Sequence, residues 1–313
     1  MTVELRHYEA LHRMRAFEEA IAAAVVSGEI HGEMHLGLGQ EAVALALGEL
    51  RRPGDAIVST HRGNLHALAA GVDPVALLAE IIERDGLCHG KGGHMHLFDP
   101  RHDFMTTGIV GASAPIAAGY ALARRRSEDE RIAVAILGDG AMNQGSVAET
   151  MNLAILWTLP LVFLVEDNGW GISVAREASC AGRLVGRAEP FGMPAQQCDG
   201  RDLDAILAAL GTAVDHARER GGPTLVVAEV DRFAGHYEGD TDLYRPAESK
   251  RAARAPERDP IGRLRARLAD AGAEEEQLDE SERRARATVE GWFTAARARP
   301  FPDERTAAEG VFA

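Results

Sequence analysis

Apolar residues recur at steps of three and four near the start of the chain. Tyr8, Leu11, Met14, Phe17, Ile21 and Val25 form one stripe, which predicts a helix over 5–27. Ala42, Leu45 and Ala46 mark a second helix at about 40–50, after Gly37 and Gly39. Helical spacing returns at 74–84, where Pro74 suits the first turn and Val75, Leu78, Ala79 and Ile82 share a face. Further helices are predicted at about 111–125, 145–157 and 202–219. The pattern changes at Ile132-Ala133-Val134-Ala135-Ile136-Leu137 and at Leu161-Val162-Phe163-Leu164-Val165. Both runs are nearly all apolar, as strands buried on two faces are. Strand, helix and strand in succession make a βαβ unit with parallel strands. Residues 56–60 and 224–230 are further strand candidates.

One stretch fits neither period. Residues 86–108 hold five glycines (Gly86, Gly90, Gly92, Gly93, Gly108) and four histidines (His89, His94, His96, His102). That is too long and too glycine-rich for a plain connector, and it predicts a functional loop or lid. Beyond about 240 the chain turns charged and helical, with Arg/Glu-rich segments at 257–270 and 274–299. The block Ala273–Arg286 reads as a solvated helix face. No internal repeat is visible. The elements together predict an α/β fold, a doubly wound, mostly parallel sheet with helices on both faces. It would occupy 1–240, N-terminal helices included, with a helical extension over 241–313 packed on the same domain.

Composition narrows the function. The formal net charge is −14, from 34 Lys+Arg against 48 Asp+Glu. An acidic chain argues against nucleic-acid binding, which needs clustered cations. Cys88, Cys180 and Cys198 are widely spaced and match no zinc or disulfide pattern. No apolar run approaches the roughly 18 residues of a membrane span, and no signal-peptide pattern opens the chain. A cytoplasmic protein is the expectation.

In doubly wound sheets ligands sit beyond the carboxyl ends of the strands. Gly138-Asp139-Gly140-Ala141-Met142-Asn143 follows one central strand and Glu166-Asp167-Asn168-Gly169-Trp170 the next. His61-Arg62-Gly63 and Asp231–His236 follow two others. Gly-Asp-Gly alone also fits a tight turn. With Asn168 at a neighbouring strand end, two hard oxygen ligands converge, which suits Mg²⁺. The glycines let backbone approach a ligand, and the helix that follows offers free N–H groups to a phosphate. The residues thus imply a Mg²⁺-bridged diphosphate. The glycine patterns of a nicotinamide domain and of a P-loop are both absent.

Gly138-Asp139-Gly140 followed after about thirty residues by Asn168 resembles the thiamine-diphosphate fingerprint. Gly39-Gln40-Glu41-Ala42, Ser59-Thr60-His61-Arg62-Gly63, Gly90-Lys91-Gly92-Gly93, Gly108-Ile109-Val110-Gly111 and Gly235-His236-Tyr237-Glu238-Gly239-Asp240 extend the likeness over nearly the whole chain. It resembles the alpha subunit of the decarboxylating component of 2-oxo acid dehydrogenase complexes, in the pyruvate and acetoin branch. The resemblance implies the diphosphate-binding type of thiamine-diphosphate fold. It implies that Asp139, Asn168 and the Trp170 carbonyl hold Mg²⁺, that Arg62 meets the diphosphate, and that Gly140, Ala141 and Asn143 line it. Gly108 and Val110 would meet the aminopyrimidine. His61 stands where many relatives carry tyrosine, and His35 and His236 match two active-site histidines. His31, His66 and His102 are expected to be structural.

The resemblance also implies partners. The glutamate that faces the aminopyrimidine would come from a beta subunit with its own pyrimidine-binding domain, in an α₂β₂ heterotetramer. The two-carbon fragment would pass to a lipoyl acyltransferase or another acyl carrier. Asn64 and Leu65 depart from the usual His-Gly, and His94 from a serine, in loops expected near substrate. Two alternatives stay open: transketolase-like ketol or glycolyl transfer from a ketose phosphate to a carrier protein, and a non-catalytic structural partner.

Overall fold

The computed structural model describes residues 2–127 and 129–309. The chain opens with helices α1 (Val3–Val26) and α2 (Glu41–Leu50), then strand β1 (Ala56–Ser59), α3 (Asn64–Ala69) and α4 (Pro74–Ile81). Short strands β2 (Phe98–Asp99) and β3 (Phe104–Thr106) precede α5 (Ser113–Arg126), β4 (Ala133–Gly138), α6 (Gly145–Leu156) and β5 (Leu161–Asp167). A small hairpin of β6 (Trp170–Gly171) and β7 (Val174–Ala175) leads through α7 (Arg176–Ser179) to β8 (Ala195–Asp199), α8 (Leu203–Arg218) and β9 (Thr224–Glu229). Helices α9 (Ala247–Ala253), α10 (Pro260–Asp270) and α11 (Glu275–Arg297) follow.

Seven strands form one sheet in the order β2-β3-β1-β4-β5-β9-β8. Every pairing is parallel except the edge pair β2–β3. Period-2 alternation sorts β4 between two layers. Val134 and Ile136 pack with α2 and α8, whereas Ala133, Ala135 and Leu137 pack with α5 and α6. Helices therefore cover both faces, as the apolar runs predict.

Helix ends follow local chemistry. Asp73 and Asp259 cap α4 and α10 by accepting from Val75 N and Ile261 N, each with proline in the first turn. On α11 the charges face solvent, yet Leu278, Ser281, Ala285, Val289 and Phe293 are buried. Arg284 and Arg286 of α11 reach Glu9 and Glu19 of α1, each at 2.9 Å. Exposed pairs of this kind contribute about 1 kcal/mol or less, so the buried stripe holds the helix.

Three elements depart from the sequence reading. Residues 86–108 include β2 and β3, and β3 pairs with β1 inside the sheet. The segment after β1 winds into α3. β8, Ala-Gln-Gln-Cys-Asp, is polar and half-exposed because it is an edge strand, paired only with β9. No described helix is long and apolar enough to cross a membrane.

The chain order creates a crevice. From β1 the chain moves to β3 on one side, then crosses through α5 to β4 on the other. Connections thus diverge at β1, and the space beyond its carboxyl end is left open.

Candidate active site

A cleft of about 590 Å³ occupies that position. All twelve residues singled out from the sequence border it: His35, His61, Arg62, Gly108, Val110, Asp139, Gly140, Ala141, Asn143, Asn168, Trp170 and His236. Each comes from a strand end except His35, which lies on the irregular segment between α1 and α2. A second cleft, about 720 Å³, lies near the opposite ends of β4 and β5, around Arg131 and Pro160. Its Arg125, Arg131 and Arg218 are already bonded to Thr158 O, Asp129 and Asp55.

β4 and β5 are neighbours, with Leu137 opposite Val165 and Gly138 opposite Glu166, so Asp139 and Asn168 emerge side by side. Asp139 is 2% exposed and its Oδ2 has no hydrogen-bond partner. Burial, then the nearby Asp167 carboxylate, pushes its pKa up to about 6. Such a carboxylate oxygen has the position and the unmet charge to hold a cation. Asn168 Oδ1 accepts from Trp170 N at 3.1 Å, which orients the turn into β6. A Cβ added to Gly140 would lie 3.4 Å from Gly171 Cα, so two backbones approach closely there. The helical donors start earlier than expected, in a 3-10 turn over Gly140–Asn143, with α6 beginning at Gly145. The Asn143 amide is turned aside, donating to Ser179 O and accepting from Arg187.

Imidazoles gather at the other end of the cleft. The His35 ring lies 4.6 Å from both His61 and His236, edge-on, and His61 lies 5.3 Å from His236. Burial first, then the Arg62 guanidinium, holds their pKa values down, to about 3 for His35, 2 for His61 and 4 for His236. All three are neutral imidazoles at pH 7. Their ring nitrogens lie within 4.8 Å of one another, a spacing a transition metal could use. The buried guanidinium beside them raises the cost of a dication there. Arg62 donates to Leu36 O and, at 3.1 Å, to His236 O. Burial, then Arg232, lowers its own pKa to about 10.

Sequence reasoning missed three charged lining residues, Glu33, Glu166 and Arg232. Arg232 is 2% exposed and donates to Ile172 O and to the Tyr244 hydroxyl. It sits three residues beyond β9, and its strand-end position was the available signal. Glu166 is the penultimate residue of β5 and accepts from His66 Nε2 at 3.2 Å, while His66 Nδ1 pairs with Ser59 Oγ at 2.9 Å. His66 is thus buried behind the cleft. The departing residues Asn64 and His94 do not border the cleft. Both are buried and touch its surroundings from behind, Asn64 donating to Glu18 and His94 meeting His35.

The parallel sheet, the crevice at β1 and the buried, unpartnered strand-end carboxylate define an α/β protein with a polar cleft at its strand termini. The family model of the dehydrogenase E1 component matches residues 9–305, and the chain belongs to that family. It is 39% identical over 299 residues to the alpha subunit of acetoin:2,6-dichlorophenolindophenol oxidoreductase from Cupriavidus necator, covering 94% of this chain and 90% of that protein. It is 37% identical over 305 residues to the pyruvate dehydrogenase E1 component subunit alpha of Rhizobium meliloti, covering 96% and 87%. The corresponding acetoin subunit of Bacillus subtilis is 38% identical over 257 residues, covering 81% of this chain and 77% of that protein. Membership implies thiamine diphosphate as cofactor.

Proposed function

We propose that the chain is the alpha subunit of a thiamine-diphosphate enzyme that cleaves the C–C bond beside a carbonyl. The substrate is a 2-oxo acid such as pyruvate, or acetoin, and the two-carbon acyl fragment passes to a lipoyl acceptor. One observation carries the reading: an orphaned, buried carboxylate and a cluster of neutral imidazoles share a cleft with a buried guanidinium.

Asp139, Asn168 and the Trp170 carbonyl are the residues to hold Mg²⁺, with Arg62, Gly140, Ala141 and Asn143 around the diphosphate. Gly108 and Val110 would meet the aminopyrimidine. When bound, the cofactor supplies an electron sink for the pair released by C–C cleavage. Arg62 supplies positive charge, and burial keeps that charge unscreened. Neutral His35 and His236 can each donate or accept a hydrogen bond, and can take up a proton at a ring nitrogen. His61 packs edge-on to His35 and closes that side of the cleft. A beta subunit completes the site with the glutamate that faces the aminopyrimidine, in an α₂β₂ assembly. The cytoplasm is the proposed location, and residues 241–313 act as an extension of the domain formed by 1–240.

The chain purified with its beta partner, Mg²⁺ and thiamine diphosphate is expected to consume pyruvate or acetoin in the presence of an artificial electron acceptor. The chain alone is expected to retain under about 1% of that rate, since the beta subunit would supply the glutamate. Preferential turnover of a ketose phosphate, or full activity without the beta chain, would overturn the reading.

Cation binding has its own signature. Mg²⁺ on Asp139 requires the deprotonated carboxylate. With a pKa near 6 before binding, uptake at pH 6 should release about half a proton per site, falling to almost none at pH 8. Calorimetry in buffers of different ionisation enthalpy reads this directly. Equal proton release at both pH values would show that binding displaces no proton from Asp139, and an Asp139→Asn chain that binds Mg²⁺ as tightly as the parent would exclude Asp139 as the ligand.

A further inference from the structure

The glycine-rich loop contains a histidine that the proposed chemistry does not use. His94 is 7% exposed and lies outside the cleft lining. Its Nε2 sits 3.1 Å from Nδ1 of His35, with the two rings tilted by 31°. His35 itself borders the cleft and touches His61 and His236. Among the described residues, the hydrogen bond and the ring contact of His94 both go to His35.

The loop is built to put His94 there. Glu80, on α4, is fully buried, and its carboxylate collects three backbone donors from the loop. Oε2 accepts from Cys88 N at 2.8 Å and Gly90 N at 3.0 Å, and Oε1 accepts from Gly92 N at 2.7 Å. At Gly92 an added Cβ would lie 2.6 Å from His96 O, and Gly93 has φ +55°. The chain wraps around one carboxylate, with no room for a side chain at Gly92 and a left-handed turn that favours glycine at Gly93, and His94 is the next residue. A charge-assisted anchor of this kind fixes the start of the loop firmly.

An N···N contact between two imidazoles needs a hydrogen on one nitrogen and a lone pair on the other. The bond thus couples the tautomers of the two rings. With Nδ1 engaged, Nε2 is the nitrogen of His35 that a ligand in the cleft can reach. Packing alone would not impose this relation. The groups that face His35 are His61 and Arg62 from the end of β1, His94 from the loop, His236 and Tyr237 beyond β9, and Glu33 on its own segment. Burial first, then Arg62, opposes protonation of both His35 and His94, so the pair stays neutral.

We propose that His94 is a positioning residue: held by the Glu80-anchored loop, it fixes the ring orientation and the tautomer of His35, and so decides how His35 meets substrate. The kinetic consequence rests on the function proposed above; the tautomer does not. The test compares H94S and H94Q with the parent, as the complex with beta subunit, Mg²⁺ and thiamine diphosphate. H94S removes the nitrogen, whereas the glutamine amide can restore a donor at the reach of Nε2. Expected for H94S is a fall in kcat of about 10- to 100-fold, as for a mis-set catalytic group, with cofactor affinity unchanged within about twofold. The acid limb of its pH profile should move toward neutrality, because His35 is less shielded from water. H94Q should recover most of kcat and the parental limb.

The second readout does not need turnover. In the full chain labelled with ¹⁵N-histidine, His35 should show one tautomer in the parent and in H94Q, and averaged tautomers in H94S. Unchanged His35 signals in H94S, or parental kcat and pH profile in H94S, would overturn the proposal. An H94Q as impaired as H94S would reduce His94 to packing, which also overturns it. If the parent complex turns over neither pyruvate nor acetoin, the functional reading fails while the nitrogen signals still decide the role of His94.

Discussion

Asp139→Asn is expected to stabilise the unliganded chain while abolishing activity of the complex. The carboxylate is buried, lacks a partner at Oδ2 and stands beside Asp167. Its folded pKa, about 6, lies above the ordinary value of 3.8. The folded state therefore holds its proton more tightly than the unfolded state. Stability from this group is fully present below pH 3.8 and is lost as pH rises through about 6. Two units correspond to about 3 kcal/mol at pH 8, as an upper figure. An isosteric amide removes that cost, so the melting temperature of Asp139→Asn should exceed the parent's by several degrees at pH 8 and by little at pH 4. Activity of the complex should fall by at least about 10³-fold, in line with loss of a directly bound charged ligand group. Scanning calorimetry at both pH values, with a rate assay, checks both halves. A variant less stable than the parent at pH 8 would show that the carboxylate is already compensated in the free chain. Stability given up at a site to keep it reactive is the general pattern at functional residues.

Arg62→Gln should produce the second large effect, through two routes at once. The guanidinium bridges Leu36 O and His236 O, tying the segment that carries His35 to the loop that carries His236. Losing it leaves buried carbonyls short of donors and lets the segments that carry His35 and His236 separate. It also removes the positive charge that, after burial, does most to hold His35, His61, His94 and His236 unprotonated. The expected result is a loss of about 10²-fold or more in kcat/KM, with the acid limb of the pH profile displaced toward neutrality. Arg62→Lys should not rescue, because a single ammonium cannot span two carbonyls in the geometry of a planar fork. Rescue by lysine to within a few-fold of the parent would assign Arg62 a purely electrostatic role.

These two residues illustrate different kinds of legibility. Asp139 is readable because its chemistry is local: a glycine on each side, a doubly buried strand before it, and a second side-chain oxygen, that of Asn168, after the next strand. Strands β4 and β5 are readable for a related reason, since each is buried on both faces and its whole run must be apolar. The likeness carried by the motifs then assigns a family without reference to coordinates. Arg62 shows its charge in the sequence, but its two carbonyl partners lie 26 and 174 residues away along the chain.

Elements of mixed environment stay hidden. β8 is an edge strand whose polar residues face water on one side, so neither period-2 alternation nor an apolar run marks it. β3 is three residues long, and only its pairing with β1 makes it a strand. Arg232, Glu166 and Glu80 look like ordinary surface charges until the sheet closes around them. Distances between residues remote in the chain, such as that from His94 to His35, are set by how the layers pack. Hydrophobic period and motif chemistry are properties of short segments, and these identify the fold class, the polar strand ends that border the cleft and the family. Which imidazoles meet, which carboxylate stays unpartnered and which guanidinium faces the cleft depend on contacts among distant segments, and only the assembled tertiary structure decides them.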